Sequence, residues 1–395
     1  MKALYSLGLI LLILYISADA AIVSEEGEER FAVQVVAGLG VGIMFVYCVA
    51  CGLRLKRITR YWAFAKWWTI FLGLIGIYCL LAQFGLPTHS AQTSPRYLLV
   101  AAYVMLTIFF FYYAVVNNHL SDRWLLVVLC FLILGGVLDL HTAITNPRYR
   151  LGMDVINTSS GYVFLMLMPI LMYRFRDQAV WVFFLTLILT AIAGKRGALT
   201  VYSALLVYYV FNYRIIAKQI RLNFRAVVGA VLAIAAVMYF YEVAYESLTF
   251  RLDSIVDDRR GTIGSGRDQL WESLYYEWRS GDAGTILLGL GYFSTLTLVG
   301  LLAHNDFLQF LVDFGLLGFF LYLMIIAVAV RDVRRLRNVD RYVYLMLMVC
   351  ILVLLGRGAF AGTIRTDQIY WAISFGYLLG VATKLYGLGR VRGEV

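Results

Sequence analysis

Two adjacent cations, Lys195 and Arg196, stand in the short segment Gly194-Lys195-Arg196-Gly197, just before the apolar run from Ala198 to Phe211. A helix that begins there would direct its first backbone N–H groups and both cations at the same place, an arrangement that suits phosphate and other anions. The alternative is that the two side chains contact lipid headgroups. We therefore predict an anion site at the start of this run.

A second basic candidate, Arg267, lies in the glycine-rich stretch Gly264-Ser265-Gly266-Arg267-Asp268-Gln269-Leu270-Trp271, which leads into an amphipathic segment. The fixed fork of donors on a guanidinium suits bidentate contact with a diphosphate. The alternative is a structural ion pair with Asp268 or Glu272.

His304 is the candidate general base. It precedes a long apolar run, and Asn305 or Asp306 is placed to cap the helix that this run predicts. The N-terminus of a helix disfavours imidazolium, so the side chain should stay neutral near pH 7 and be able to accept a proton. Gly315 and Gly318 predict close packing of the same helix. The alternative is an ordinary interfacial polar residue.

The elements that must position these residues are membrane helices. The chain has 395 residues, of which 62% are hydrophobic and 15% charged, which is more apolar surface than a water-soluble core can hide. Apolar runs of about 15 to 24 residues recur along the chain, and such runs predict helices rather than a barrel. The first of them, Met1 to Ala21, has features of a secretory signal, and we interpret it as a retained first span.

Basic segments alternate with less basic ones, and this alternation predicts the orientation. The segments expected in the cytoplasm contain Arg54 to Lys66, Arg174 and Arg176, Arg214 to Arg225, Arg331 to Arg341, and Arg390 with Arg392. The net charge of +10 lies largely in these clusters and does not indicate nucleic acid binding.

With both termini inside, the chain is expected to be an all-α polytopic membrane protein with about twelve transmembrane helices. Residues 245–305 are expected to form one long periplasmic loop between spans 9 and 10. The apolar run Thr285 to Leu302 within this loop is predicted not to cross, because a crossing would carry Arg331 to Arg341 outside. The segment Gly356 to Gln368, with Arg357 and Arg365, is also expected outside. We expect residues 1–395 to form a single membrane domain.

Taken together, the motifs resemble the O-antigen polymerase and ligase superfamily, the Wzy and WaaL proteins. The resemblance rests on the external Gly-Lys-Arg-Gly before a helix, on the stretch Arg267 to Trp271, and on His304-Asn305 with the leucines and glycines that follow. Those leucines and glycines are Leu308, Leu311, Gly315 and Gly318. The likeness covers residues 191–330, and the first half of the chain is similar only in hydropathy. It implies a GT-C-like fold.

The resemblance implies a metal-independent, inverting glycosyltransferase without a cofactor, which moves a glycan from undecaprenyl diphosphate to an acceptor hydroxyl. Carried over, Arg196 and Arg267 would bind the diphosphate and His304 would take the proton of the acceptor. Lys195 and Arg365 are supporting candidates by their location. The compact segment between Arg267 and His304 favours a repeat-unit polymerase, and the alternative is a ligase that transfers glycan to lipid A-core.

The expected partners are the undecaprenyl diphosphate-linked oligosaccharide, an acceptor glycan and membrane lipids, with a chain-length-regulating co-polymerase as an optional further partner. The expected location is the bacterial inner membrane, with the site facing the periplasm. Two other classes stay open. A lipid-linked oligosaccharide flippase should place cations inside the bundle at mid-bilayer depth. A metal-dependent polyprenyl-sugar transferase would need external acidic ligands, for which the candidates are Glu25, Glu26, Glu28, Glu29, Asp257 and Asp258.

Overall fold

The computed structural model describes residues 1–21, 28–55, 62–83, 95–145, 160–212, 267–299, 303–360 and 368–391. These segments are helical, and no strand occurs among them. The helices are α1 Lys2–Ala21, α2 Glu28–Leu55, α3 Phe64–Gln83, α4 Pro95–Val116, α5 Asp122–Thr145, α6 Ser160–Arg174, α7 Ala179–Ile192, α8 Arg196–Phe211, α9 Arg267–Arg279, α10 Ala283–Leu288, α11 Ser294–Val299, α12 Asp306–Arg334, α13 Arg341–Phe360 and α14 Ile369–Val391. The all-helical class expected from the sequence is confirmed for the described part of the chain.

Several of these helices have the length and composition of membrane spans. Within the described segments, four are long and apolar enough to cross a membrane, namely parts of α2, α5, α12 and α13. A fifth is obtained if α6 and the following 3-10 turn with α7, which are bent by 114° relative to each other, are counted as one span. Shorter apolar helices occur in α1, α3, α4 and α8. The described part of the chain therefore has the apolar helices expected of a membrane protein.

Helices α6, α13 and α14 form the interior of the bundle. Every residue of α6 from Ser160 to Met172 is buried, and α14 packs along α4 at two glycines. A Cβ at Gly376 would collide with the carbonyl oxygen of Ile108, and one at Gly380 would come within 2.7 Å of the Cβ of Val115. Small residues therefore let the two backbones approach closely, as is common between membrane helices.

Contacts between helix termini define one end of the bundle, here called the basic end. It comprises the N-terminus, the turn 117–121, the start of α3 and the last turns of α6, α12 and α14. Lys384 of α14 donates a hydrogen bond to Asn118. Burial, followed by the charges of the N-terminal amine and Lys2, lowers the pKa of His119. The start of α1 and the last described turns of α14 therefore lie towards this end.

The basic end also holds described members of the basic segments. The Nε1 of Trp62 donates to Thr383 at 2.8 Å, which joins the segment before α3 to α14. The N–H of Phe64 donates to the carboxylate of Asp332 at 3.1 Å, and Asp332 stands beside Arg331. The opposite end, here called the site end, comprises the starts of α6, α8 and α12 and the end of α13.

Helix α12 is broken at Gly315, whose φ of 62° and ψ of −163° are not helical. The break frees carbonyl groups that a regular helix would use. The N–H groups of Leu290 and Gly291 donate to the carbonyls of Val312 and Asp313, at 2.8 and 3.0 Å. Sequence reasoning attributed Gly315 to helix packing. The structure instead requires glycine for a left-handed conformation and for the close approach of Gly289, where a Cβ on either residue would lie 2.5 Å from the other segment's backbone.

The apolar run Thr285 to Leu302 is not one helix. Its described part holds the end of α10 and all of α11, each of six residues, or about 9 Å at 1.5 Å per residue. Neither is long enough to cross a hydrocarbon core. The expectation of an external loop from Gly356 to Gln368 is wrong at its start, because α13 continues to Phe360. Arg357 therefore lies inside this helix.

Candidate functional site

His304 stands at the site end, immediately before α12. Its φ of 53° is in the left-handed region, which a residue with a Cβ occupies only when the surrounding structure holds it there. The next residue, Asn305, caps the helix: its side-chain oxygen accepts from the N–H groups of Phe307 and Leu308 at 3.0 and 3.3 Å. The predicted cap is therefore confirmed, with Asn305 in that role.

A direct hydrogen bond joins the Arg267 motif to the residue before His304. The Nε1 of Trp271 donates to the carbonyl of Ala303, the residue before His304, at 2.7 Å. Trp271 lies one turn after Arg267, which begins α9, so both residues share a helix face. Sequence reasoning placed the two motifs on one side of the membrane, and the structure brings the start of α9 to the backbone of Ala303, next to His304.

The Lys195-Arg196 motif lies at the start of α8, as predicted. Arg196 is the first residue of the helix, and Lys195 is its extended N-cap residue without a capping side-chain bond. A Cβ at Gly197 would collide with the hydroxyl of Tyr162 and with Phe360. The backbone at the start of α8 is therefore pressed against α6 and the end of α13.

Arg357 lies between residues that contact the start of α8 and the start of α12. Its side chain is fully buried, its Nη1 lies 3.0 Å from the sulfur of Met166, and its guanidinium carbon lies 5.5 Å from the ring centre of Tyr162. The next residue, Gly358, faces α12: a Cβ there would lie 2.8 Å from the Oδ2 of Asp306. A chain of contacts thus runs from Gly197 through Tyr162, Arg357 and Gly358. It ends at Asp306, two residues after His304.

The structure therefore gathers three segments that are distant in sequence. At the site end, residues 267–271 contact Ala303 directly, and residues 194–197 are linked to Asp306 through Tyr162, Arg357 and Gly358. For Arg196 and Arg267 the described part is the backbone, and Arg365 lies outside the described residues.

Sequence reasoning missed one carboxylate at this site, Asp313, and considered the other, Asp306, only as a helix cap. Asp306 is 2% exposed and Asp313 is 1% exposed. The Oδ1 of Asp313 accepts from the hydroxyl of Ser294 at 2.8 Å, and its Oδ2 accepts from the N–H of Phe293 at 3.1 Å and from the Nε2 of Gln309 at 2.6 Å. A charged residue inside an apolar run is the signal that would have found Asp313.

An apolar cavity adjoins the polar site. Its walls come from α3, α4, α12 and α13, and include Trp68, Met105, Phe310 and Leu354. Tyr322 is also part of the lining, and its hydroxyl lies 3.4 Å from where a Cβ of Gly358 would stand. The cavity thus ends beside the contact between Gly358 and Asp306.

The residues that a metal-dependent reaction would recruit fall largely outside the described segments, namely Glu25, Glu26, Asp257 and Asp258. Within the described part of the chain, no three His, Cys, Asp or Glu side chains are grouped to hold a metal ion.

A search of protein-family models finds none that matches this chain, and no curated protein matches it either.

Proposed function

We propose that this chain is a lipid-linked oligosaccharide polymerase of the Wzy type, a membrane glycosyltransferase of the O-antigen polymerase and ligase superfamily. The observation that carries the proposal is that the three motif segments lie at the same end of the helical bundle. A cationic helix start, an arginine-bearing helix start and a histidine on a constrained backbone are the groups that transfer from a diphosphate carrier to a hydroxyl requires.

The proposed reaction forms one bond and breaks one. The oxygen of an acceptor sugar hydroxyl attacks the anomeric carbon of the donor glycan, and the bond from that carbon to the undecaprenyl diphosphate breaks with inversion. His304 takes the hydroxyl proton as general base. Arg196 and Arg267, supported by Lys195 and Arg365, stabilise the charge that develops on the departing diphosphate.

The apolar cavity supports a lipid-linked donor. It is lined by aromatic and aliphatic side chains such as Trp68 and Phe310, and it ends at Tyr322 beside the Asp306 contact. Because the cavity volume is only about 40 Å³, only the part of the polyprenyl chain next to the diphosphate would enter it, close to the site end. In this proposal the apolar chain contributes binding and the site end contributes chemistry.

In the proposed topology the chain crosses the bacterial inner membrane about twelve times, with both termini in the cytoplasm and the site in the periplasm. The grouping of basic residues at one end of the bundle supports it. The test is to label a single cysteine placed at position 304 or 335 with a membrane-impermeant maleimide in cysteine-free protein. Labelling of position 304 from the periplasm and of position 335 from the cytoplasm is expected, and the reverse pattern would overturn the orientation.

The polymerase is favoured over a ligase by the compact segment from Arg267 to His304, whose described part forms three short helices. A flippase is less well supported, because the buried Arg357 lies one turn from the end of α13 rather than at its centre. Gene deletion followed by gel analysis of the surface polysaccharide separates the first two. A core with one repeat unit indicates a polymerase, and a bare core with glycan on the carrier lipid indicates a ligase.

A direct test uses purified protein in bilayers with an undecaprenyl diphosphate-linked oligosaccharide. The expected product is an elongated glycan on the same carrier, formed equally well with and without a chelator. Loss of activity in chelator would transfer the proposal to a metal-dependent enzyme.

A further inference from the structure

The backbone of Ala303 is held from both sides. Its carbonyl accepts from the Nε1 of Trp271 at 2.7 Å, and its N–H donates to the Oε1 of Gln309 at 3.1 Å. The following residue is His304, in its left-handed conformation, and after it comes the capping Asn305. The histidine therefore stands between two fixed backbone segments.

Gln309 in turn is fixed by its own amide nitrogen. Its Nε2 donates to the Oδ2 of Asp313 at 2.6 Å and to the Oγ1 of Thr295 at 2.7 Å. Gln309 and Asp313 are four residues apart and so lie on one face of α12. Asp313 and Thr295 are almost fully buried, and a buried network whose members are all bonded rigidifies what it touches.

The network reaches a second strained segment. Asp313 also accepts from the N–H of Phe293, whose φ is 60°, and from the hydroxyl of Ser294. The same carboxylate therefore holds the turn before α11 and, through Gln309, the residue before His304. Side-chain bonds of this kind, rather than local backbone preference, account for two left-handed non-glycine residues so close together.

We infer that Gln309 is a positioning residue, which orients His304 for proton transfer by carrying the rigidity of Asp313 to the backbone of Ala303, with Trp271 as the second clamp. The catalytic consequence rests on the proposed function, whereas the structural consequence does not. A displacement of about 1 Å in a reacting group costs on the order of a hundredfold in rate. Loss of either clamp should therefore lower kcat while leaving the KM for the lipid-linked donor nearly unchanged.

The test uses the full-length protein in detergent and follows carbethoxylation of His304 by diethyl pyrocarbonate, measured by mass spectrometry. Gln309→Leu keeps the side-chain size and removes every bond of the amide, and Trp271→Phe removes the other clamp. In each variant the modification rate of His304 should rise about fivefold, the ratio that corresponds to one net hydrogen bond. Thr107→Val is the matched control, because it removes a buried threonine hydrogen bond, to the carbonyl of Tyr103, that lies outside this network, and its rate should stay within about twofold of wild type.

Glycan transfer is then measured on the same three variants. A fall in kcat of about a hundredfold at constant donor KM in the clamp variants, but not in Thr107→Val, is the expected result. An unchanged His304 modification rate in folded Gln309→Leu and Trp271→Phe would overturn the positioning role. If Gln309→Leu does not fold, Trp271→Phe decides. If His304 is modified faster in the clamp variants but the wild-type protein transfers no glycan, the positioning role would be upheld and the proposed function rejected.

Discussion

The two ends of the bundle carry charge in opposite ways. At the basic end, the side chains of Arg331 and Arg335 are 55% and 56% exposed and lie around the buried Asp332. At the site end, Arg357 is fully buried and Asp306 nearly so. A charge in water costs little to keep, whereas a buried one must be bonded or paired. The first arrangement suits an anchor at the membrane surface, and the second suits a site.

Backbone conformation differs in the same direction. Of the seven described residues with positive φ, five lie between Gly289 and Gly315, including Phe293 and His304. Near the basic end only one is found in the described segments, Asn118 in the turn after α4. Strained conformations persist where surrounding bonds determine them, and they cluster at functional sites. At the site end, several backbone conformations that are unfavourable by themselves are therefore held by surrounding bonds, whereas the described part of the basic end has one.

The largest effect should follow from removing the proposed base. His304→Ala is expected to lower glycan transfer by about a hundredfold to ten-thousandfold, the usual contribution of general base catalysis, while the protein stays folded and binds its lipid-linked donor. The measurements are single-turnover transfer and donor binding. In wild type the rate should rise with pH as the histidine loses its proton, and the variant should lose this dependence.

Two further variants make that result specific. His141→Ala is the control, because His141 is an exposed histidine near the end of α5 without the surrounding motif, and its activity should be near wild type. His304→Gln distinguishes a base from an orienting hydrogen-bond donor. Wild-type activity with an unchanged pH profile in His304→Gln would exclude a general-base role for His304, but it would not contradict the location of the site.

The next largest effect concerns the cation that begins α8. Arg196→Lys preserves charge but loses the bidentate fork, and it should reduce donor use by about tenfold or more, the value of one charge-assisted hydrogen bond. The matched control is Arg335→Lys at the basic end, which should be silent. The measurement is kcat/KM for the lipid-linked donor. If kcat/KM were at the wild-type value in both Arg196→Lys and Arg196→Ala, Arg196 would only contact lipid headgroups.

How much of this the sequence could predict depends on the kind of feature. The helical class, the capping of α12 and the start of α8 follow from hydropathy and local residue preferences, because those signals are near in sequence. The break at Gly315 does not, because its cause is the backbone of Gly289 packed against it. The bond from Trp271 to Ala303 and the burial of Arg357 likewise depend on tertiary contacts between separate helices. The gathering of the motifs was expected only through the family resemblance.

A smaller effect should come from the tight packing around the start of α8. Gly197→Ala forces a Cβ against Tyr162 and Phe360, and it should destabilise the protein by about 1 to 3 kcal/mol, as overpacking typically does. The control is Gly73→Ala in α3, where no atom lies within 4 Å of the added Cβ. That variant should be neutral or slightly more stable. Thermal unfolding in detergent measures the stability of both variants. Equal melting temperatures would show that the packing around Gly197 relaxes to accommodate the added Cβ.

The smallest effect is expected at the basic end, and it tests the comparison itself. The Nη2 of Arg331 lies 3.1 Å from the Oδ1 of Asp332, and the Nη1 of Arg335 lies 3.9 Å from the same oxygen. Both arginine side chains are more than half exposed, so water and salt screen the attraction, and Arg331→Ala should cost no more than about 1 kcal/mol. Asp332→Ala should cost more, because it leaves the buried N–H of Phe64 without its acceptor.

Thermal unfolding at low and high salt separates the two causes. Added salt should shrink the difference in melting temperature between Arg331→Ala and wild type, and it should leave the difference between Asp332→Ala and wild type in place. If Arg331→Ala instead destabilised the protein as strongly as Asp332→Ala at every salt concentration, the exposed charges would be structural, and the contrast between an anchoring end and a site end would fail.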